Sequence, residues 1–121
     1  MRAPDEPRPV TSYGLLRDAV VKRRQVRAVY DGLPREFCPH VLGTKDGEAH
    51  CLGYQFGGQS SAGPITPGST GNWRCFVVAK LTHVSLQEGP WYTARNWDRR
   101  QTCVDRVDVE AEAGAGAEPD R

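Results

Sequence analysis

The sequence predicts a small, mainly β domain, a curled sheet or barrel behind one N-terminal α-helix. Three observations carry this. A single helical stripe occurs, near the start of the chain. Short alternating segments then follow one another across Asp31-Gly32 and Asp46-Gly47, dipeptides that favour hairpin turns. Residues 73–84 (WRCFVVAKLTHV) are the richest in β-branched and aromatic side chains.

The helix is expected from a Thr11 or Ser12 cap to about Arg24. Leu15, Leu16, Ala19 and Val20 make its apolar stripe, and Lys22, Arg23 and Arg24 complement its carbonyl end. Such a short helix is marginal alone and must dock on a sheet. Residues 25–31 alternate, with Val26, Ala28 and Tyr30 on one face, and Leu33-Pro34 suggests a loosened turn after them. A second strand over 35–42 carries Pro39, which calls for an edge or a bulge. A third spans 49–56, the strongest covers 73–84, and a last one is expected over 102–109. Residues 57–72 hold five Gly, two Pro and three Ser, a loop expected to be a mobile excursion in preference to a binding loop. Residues 1–11 and the acidic stretch 110–121 are expected as disordered tails around one domain, 12–109.

With 121 residues, 38% hydrophobic and 26% charged, the chain suits one modest core. No apolar run approaches the roughly 18 residues of a membrane span, and no apolar leader opens the chain. The expectation is a cytoplasmic protein, with Cys38, Cys51, Cys75 and Cys103 reduced and mostly buried. The net charge of +1 divides into +4 over residues 12–109 and −3 over 110–121, a basic body that admits an anionic partner.

Several chemistries fail on their own terms. Gly63 to Thr70 has the spacing of a phosphate loop, but Ser69 replaces the lysine and Pro64 and Pro67 remove N–H donors. The compact Cys/His pairs, Cys38-x-His40 and His50-Cys51, lack the spacing of a structural zinc site, so these cysteines are expected as small core residues. His50 beside Cys51 in sequence does not make a nucleophile and its base, and no elbow or zincin motif appears. The expectation is a binding module, not an enzyme, without cofactor or metal.

What remains is the distribution of cations and rings over the strands. Arg35, His50, Tyr54, Arg74 and Lys80 could join fixed charges with flat faces, a pairing that grips phosphates and stacks bases. The plainer alternative is that they are solvated strand ends and core aromatics. In the run from Trp73, Arg74, Phe76, Val78 and Lys80 share one face, with Arg74 and Lys80 about 20 Å apart on a continuous strand.

The order of residues then resembles a known family. Val26-x-x-x-Tyr30 follows the helix, then Arg35-x-Phe37-x-Pro39-His40-x-Leu42 and Gly47-x-x-His50-Cys51-Leu52-Gly53-Tyr54. Arg74-x-Phe76-x-Val78-x-Lys80-Leu81-x-x-Val84 and Trp91 complete the series. Over roughly residues 14–92 this is similar to the WYL-domain family of bacterial transcription regulators. His50-Cys51-Leu52 stands at the naming tripeptide, Val77 replaces an arginine of the family, and Ala79 replaces its acidic residue. The resemblance implies an Sm/SH3-like barrel whose basic groove senses an anionic ligand, single-stranded nucleic acid or a nucleotide. It implies ligand contacts by Arg35, Arg74 and Lys80, with His50 and Tyr54 stacking or hydrogen bonding. With one helix only and no room for a further module in the 121 residues, the domain is not expected to recognise duplex sequence by itself. A regulatory protein partner and a homodimer are both compatible with the reading. The alternatives are an interaction module using a barrel edge and Trp91 or Trp97, and a thiol or metal enzyme using Cys38, His40, His50 and Cys51.

Overall fold

Helix α1 (Ser12–Lys22) starts where Thr11 can cap it: the Thr11 hydroxyl accepts the Gly14 N–H at 3.0 Å. It stops just short of the expected Arg24, because Arg23 takes a left-handed backbone (φ 53) that returns N–H groups to Ala19 and Val20. The computed structural model describes residues 11–60, 63–94 and 101–111. The expected tails at 1–10 and 112–121 lie outside the described residues. Within them the tail boundaries move: Thr11 is the helix cap, Glu110 ends a strand, and Ala111 is buried with its N–H on the His40 carbonyl.

Six antiparallel strands follow: β1 (Gln25–Tyr30), β2 (Leu33–Lys45), β3 (Glu48–Gly58), β4 (Trp73–Val77), β5 (Thr82–Gln87) and β6 (Arg106–Glu110). The mainly β fold with one helix is as the sequence predicts. The order is β4-β3-β2-β1-β5, with β6 on β2. Both Asp-Gly turns are tight, with φ of 55 and 73 at Asp31-Gly32 and of 52 and 82 at Asp46-Gly47. That is the mirror-image turn matching the strand twist. The looser first connection is not found: Tyr30 pairs directly with Leu33, and Pro34 lies in the ladder opposite Val29.

Strand β2 changes partner at Pro39. Its first half pairs with β1 as far as Phe37, and its second half pairs with β6 from Val41. Pro39, lacking an N–H, falls in the gap between these ladders, and the β3 register slips there, leaving His40 as the extra residue of a bulge.

The sheet closes on itself. In a flat sheet β1 and β4 would lie about 14 Å apart, three strand spacings. Instead the Tyr30 ring meets Phe76 edge-on at 4.9 Å, and the Tyr30 hydroxyl accepts the Val77 N–H at 3.1 Å. This closure breaks the segment read as one strand over 73–84. A 3-10 turn at Val78–Lys80 carries the chain from one sheet edge to the other, where β5 pairs with β1. No glycine or proline marks the break, because closure of the sheet demands it.

Two cores result. Inside the curl, Phe37, Leu42, Cys51, Phe76, Val78 and Leu81 pack with Val26, Ala28 and the helix residues Leu16, Ala19 and Val20. Tyr13 and Arg17 of α1 also bond Asp108 of β6, at 2.7 and 3.3 Å. On the outer face a smaller cluster joins Val41, Leu52, Cys103 and Val104, with Trp73 against it. Here the expectation of four reduced cysteines is corrected: Cys75 and Cys103 form a disulfide, while Cys38 and Cys51 are free and buried. Cys103 lies ahead of the last strand, which starts at Arg106, later than the expected 102, so residues 101–105 are free to fold over β3 and β4.

Gly43 is where β6 comes closest. A Cβ there would collide with the Arg106 carbonyl oxygen and approach the Val104 side chain to 2.7 Å. Gly43→Ala is therefore expected to lower stability by about 1–3 kcal/mol through forced displacement of the β6 backbone, read as a lower urea midpoint.

Candidate functional site

Arg35 is not in the exposed role expected of a phosphate contact. It is 3% exposed, on the interior row with Ala28 of β1 and Gly58 of β3. One terminal nitrogen donates to Gln55 Oε1 at 3.3 Å and the other to the Tyr30 carbonyl at 3.2 Å. The guanidinium carbon stands 5.4 Å from the Tyr30 ring centroid and 5.9 Å from that of Phe76, within cation–π range. Its Nε–H has no partner, and no carboxylate of the described residues lies within ion-pair distance. Burial lowers its proton affinity and Arg74 adds to this, while Asp31 opposes it. Even so, a guanidinium remains charged.

A cleft of about 410 Å³ opens at the lip formed by β1, β2 and β5, lined by Arg27, Arg35, Glu36, Gly58, His83 and Ser85, with Arg27, Glu36 and Ser85 on one row and Arg35 on the inward row next to it. Arg27 is exposed and alternates outward from the buried Val26 and Ala28. His83 enters through a bulge: β5 slips against β1 between Arg27 and Val29, and His83 takes a left-handed backbone with φ 53. That conformation is costly for a residue with a Cβ. Sequence alternation could have placed Arg27 outward, but the bulge that brings in His83 depends on the β1–β5 register.

The other expected residues do not line this cleft. Register explains why: the rows Cys38–Tyr54–Trp73, Val41–Leu52–Cys75 and Gly43–His50–Val77 run across one face, and Phe37–Gln55, Gly53–Arg74 and Cys51–Phe76 across the other. His50 and Tyr54 thus face away from Arg35 and Arg74. Tyr54 is buried, donates to the Ser69 carbonyl at 2.9 Å and packs edge-on against Trp73. Arg74 holds the loop, donating to Ser60 Oγ at 3.2 Å and to the Gly71 carbonyl at 2.8 Å. Lys80 is exposed on the 3-10 turn.

The Gly/Ser/Pro loop is tied down at both ends. Asn72 donates to the Thr66 carbonyl at 2.8 Å, and Gln55 donates to the carbonyls of Gly57 and Gln59, both at 2.9 Å. Gln55 is thus a fully used amide: it accepts from Arg35 and donates twice into the loop root.

The suspected metal residues separate. Cys38 and Cys51 are buried, and burial pushes the Cys38 thiol up to about 12 and Cys51 higher still, which makes both poor nucleophiles. His40 has its Nδ1 2.8 Å from the Cys38 carbonyl and its Nε2 3.0 Å from the Thr93 hydroxyl. Its ring lies 4.7 Å from both Trp73 and Trp91, so Trp91 is occupied as a packing residue. Trp97 lies outside the described residues. The cluster that does form is one sequence reasoning missed: His50, Cys75 and Cys103 bring their ligand atoms within 4.8 Å of one another. They come from β3, β4 and the segment before β6, so no short spacing signals them.

Comparison with family models, with characterised proteins and with solved structures finds no match.

Two outcomes follow from these contacts. Gln55→Leu strands a buried guanidinium N–H and two loop carbonyls, and should cost about 1–3 kcal/mol in a urea titration. His40 is held near pKa 4 by burial, against about 6.5 in an unfolded chain, so the unfolded state binds the extra proton between these values. Stability should be full above pH 6.5 and fall by roughly 3 kcal/mol in all as the pH drops to about 4. A His40→Gln variant should lack most of that slope.

Proposed function

We propose that this chain is a non-catalytic ligand-sensing domain that binds an anionic ligand, a nucleotide or single-stranded nucleic acid, in the cleft between β1, β2 and β5. The observation that carries the reading is the cleft itself: Arg27 and His83 line it, and the buried guanidinium of Arg35, with no carboxylate partner among the described residues, lies on the inward row behind it. A phosphate oxygen in the cleft would accept a charge-assisted hydrogen bond from Arg27, with the buried Arg35 charge adding its field. The resemblance to WYL domains supports the same reading and adds the regulatory context, a cytoplasmic one. Among the described residues no helix is long and apolar enough to cross a membrane. The proposed site differs from the one the sequence suggests in its composition: Arg27 and His83 line it, and of the expected residues Arg35 is the one among its lining.

The test is a fluorescence titration of a short single-stranded oligonucleotide and of a nucleoside triphosphate at two salt concentrations. Affinity should fall with salt, for the oligonucleotide with a slope of about −0.7 per phosphate neutralised. Arg27→Ala should weaken binding about tenfold, the worth of one charge-assisted contact, with an unchanged melting temperature. Arg35→Ala should lower the melting temperature as well. Affinity for neither probe at low salt, or affinity indifferent to Arg27, would sink the assignment.

A further inference from the structure

We propose that the Cys75–Cys103 disulfide is the oxidised form of a zinc site, and that reduction lets His50, Cys75 and Cys103 bind one Zn²⁺ with a fourth position open to water. The inference stands apart from the anion cleft, because His50, Cys75 and Cys103 are not among the residues that line it.

Geometry supports it in three ways. A tetrahedral zinc with two thiolates and one imidazole holds sulfur and nitrogen about 3.6 Å apart. His50 Nδ1 is already 3.7 Å from Cys75 Sγ. The scaffold is fixed independently of the sulfur–sulfur bond: His50 and Cys75 stand on neighbouring strands, and the Cys103 segment is held by Asp105 N–H on the Thr44 carbonyl and by Lys45 Nζ on the Thr102 carbonyl. The outer partner of the imidazole is also present: Glu48 Oε1 lies 3.4 Å from His50 Nε2. That is the carboxylate–histidine arrangement that orients a zinc-bound imidazole. In the oxidised form His50 Nδ1 is 2.8 Å from the Cys103 carbonyl, to which it can donate. Loading would place that proton on Nε2, facing Glu48, and leave Nδ1 free for the metal.

The chemistry balances with a low-molecular-weight thiol as reductant. Two such thiols supply two electrons and two protons, leave as their own disulfide, and convert the Cys75–Cys103 bond into two thiols. Zinc then displaces both thiol protons into solvent. Cys75 is the exposed member of the pair and gives the reductant its approach, whereas Cys38 and Cys51 are buried away from it.

The test uses the full chain, air-oxidised or reduced anaerobically with a phosphine, titrated with Co²⁺ and then Zn²⁺. The reduced protein should take up a single equivalent of Co²⁺, show thiolate-to-cobalt charge transfer and tetrahedral visible bands, and lose both when Zn²⁺ is added. The oxidised protein should show neither. His50→Ala, which keeps both cysteines, should weaken binding by at least about tenfold, and Glu48→Gln, at a positioning residue, by about tenfold. Cys38→Ser should leave the spectrum unchanged. The proposal fails if reduced protein gives no bands, if Cys75→Ser retains them, if His50→Ala binds as wild type does, or if reduction abolishes the β-sheet circular dichroism.

Discussion

A guanidinium held between two rings inside a closed sheet is the constraint on which this molecule turns. Arg35 can sit between Tyr30 and Phe76 only if β1 and β4, separated by two strands in the sheet order, approach across the interior. That approach fixes the curl, the curl requires the 3-10 turn at Val78–Lys80, and the turn delivers β5 to the far edge. Arg35 also reaches outward through Gln55 to the root of the long loop. Desolvated cation–π contacts and hydrogen bonds from a charged group offset the burial of this charge, each by about 2 kcal/mol. The remaining deficit is the Nε–H, a buried donor without an acceptor among the described residues.

Local chemistry carried much of the fold in plain view. The Thr11 cap, the Leu16/Ala19/Val20 stripe and the two Asp-Gly turns act within a few residues and need no tertiary context. Pro39 was readable as a bulge, although its reason, the exchange of β1 for β6 along β2, involves strands far apart in sequence. The break after Val77 was not readable, because Val-Val-Ala-Lys is good strand sequence and only closure of the barrel turns it. The disulfide was hidden by a separation of 28 residues and by reasoning from compartment in place of geometry.

The candidate cleft was legible only in part. Of the five residues singled out on the strands, Arg35 is among those that line it, and the other four are not. Which cations share a face, however, depends on register and on bulges, each of which inverts the alternation beyond it. The β3 register separates His50 and Tyr54 from Arg74, and the slip in β5 turns an ordinary strand histidine toward the cleft. One residue gained or lost in a ladder decides such questions, and it leaves no mark in composition.

The partner exchange along β2 has a consequence for how the chain assembles. The meander from β1 to β4 joins neighbours in sequence, and its hairpins can close as soon as they leave the ribosome. β6 instead must find Val41 to Thr44 from residues 106–110, across nearly the whole domain. Its docking closes a far longer loop than any hairpin of the meander. Until the segment ahead of β6 folds over it, the outer face of β2 and β3, with Val41 and Leu52, stays wet, and Cys75 has no partner thiol. The covalent link thus acts as a latch that can engage only once Cys103 has come back over β4, 28 residues after Cys75.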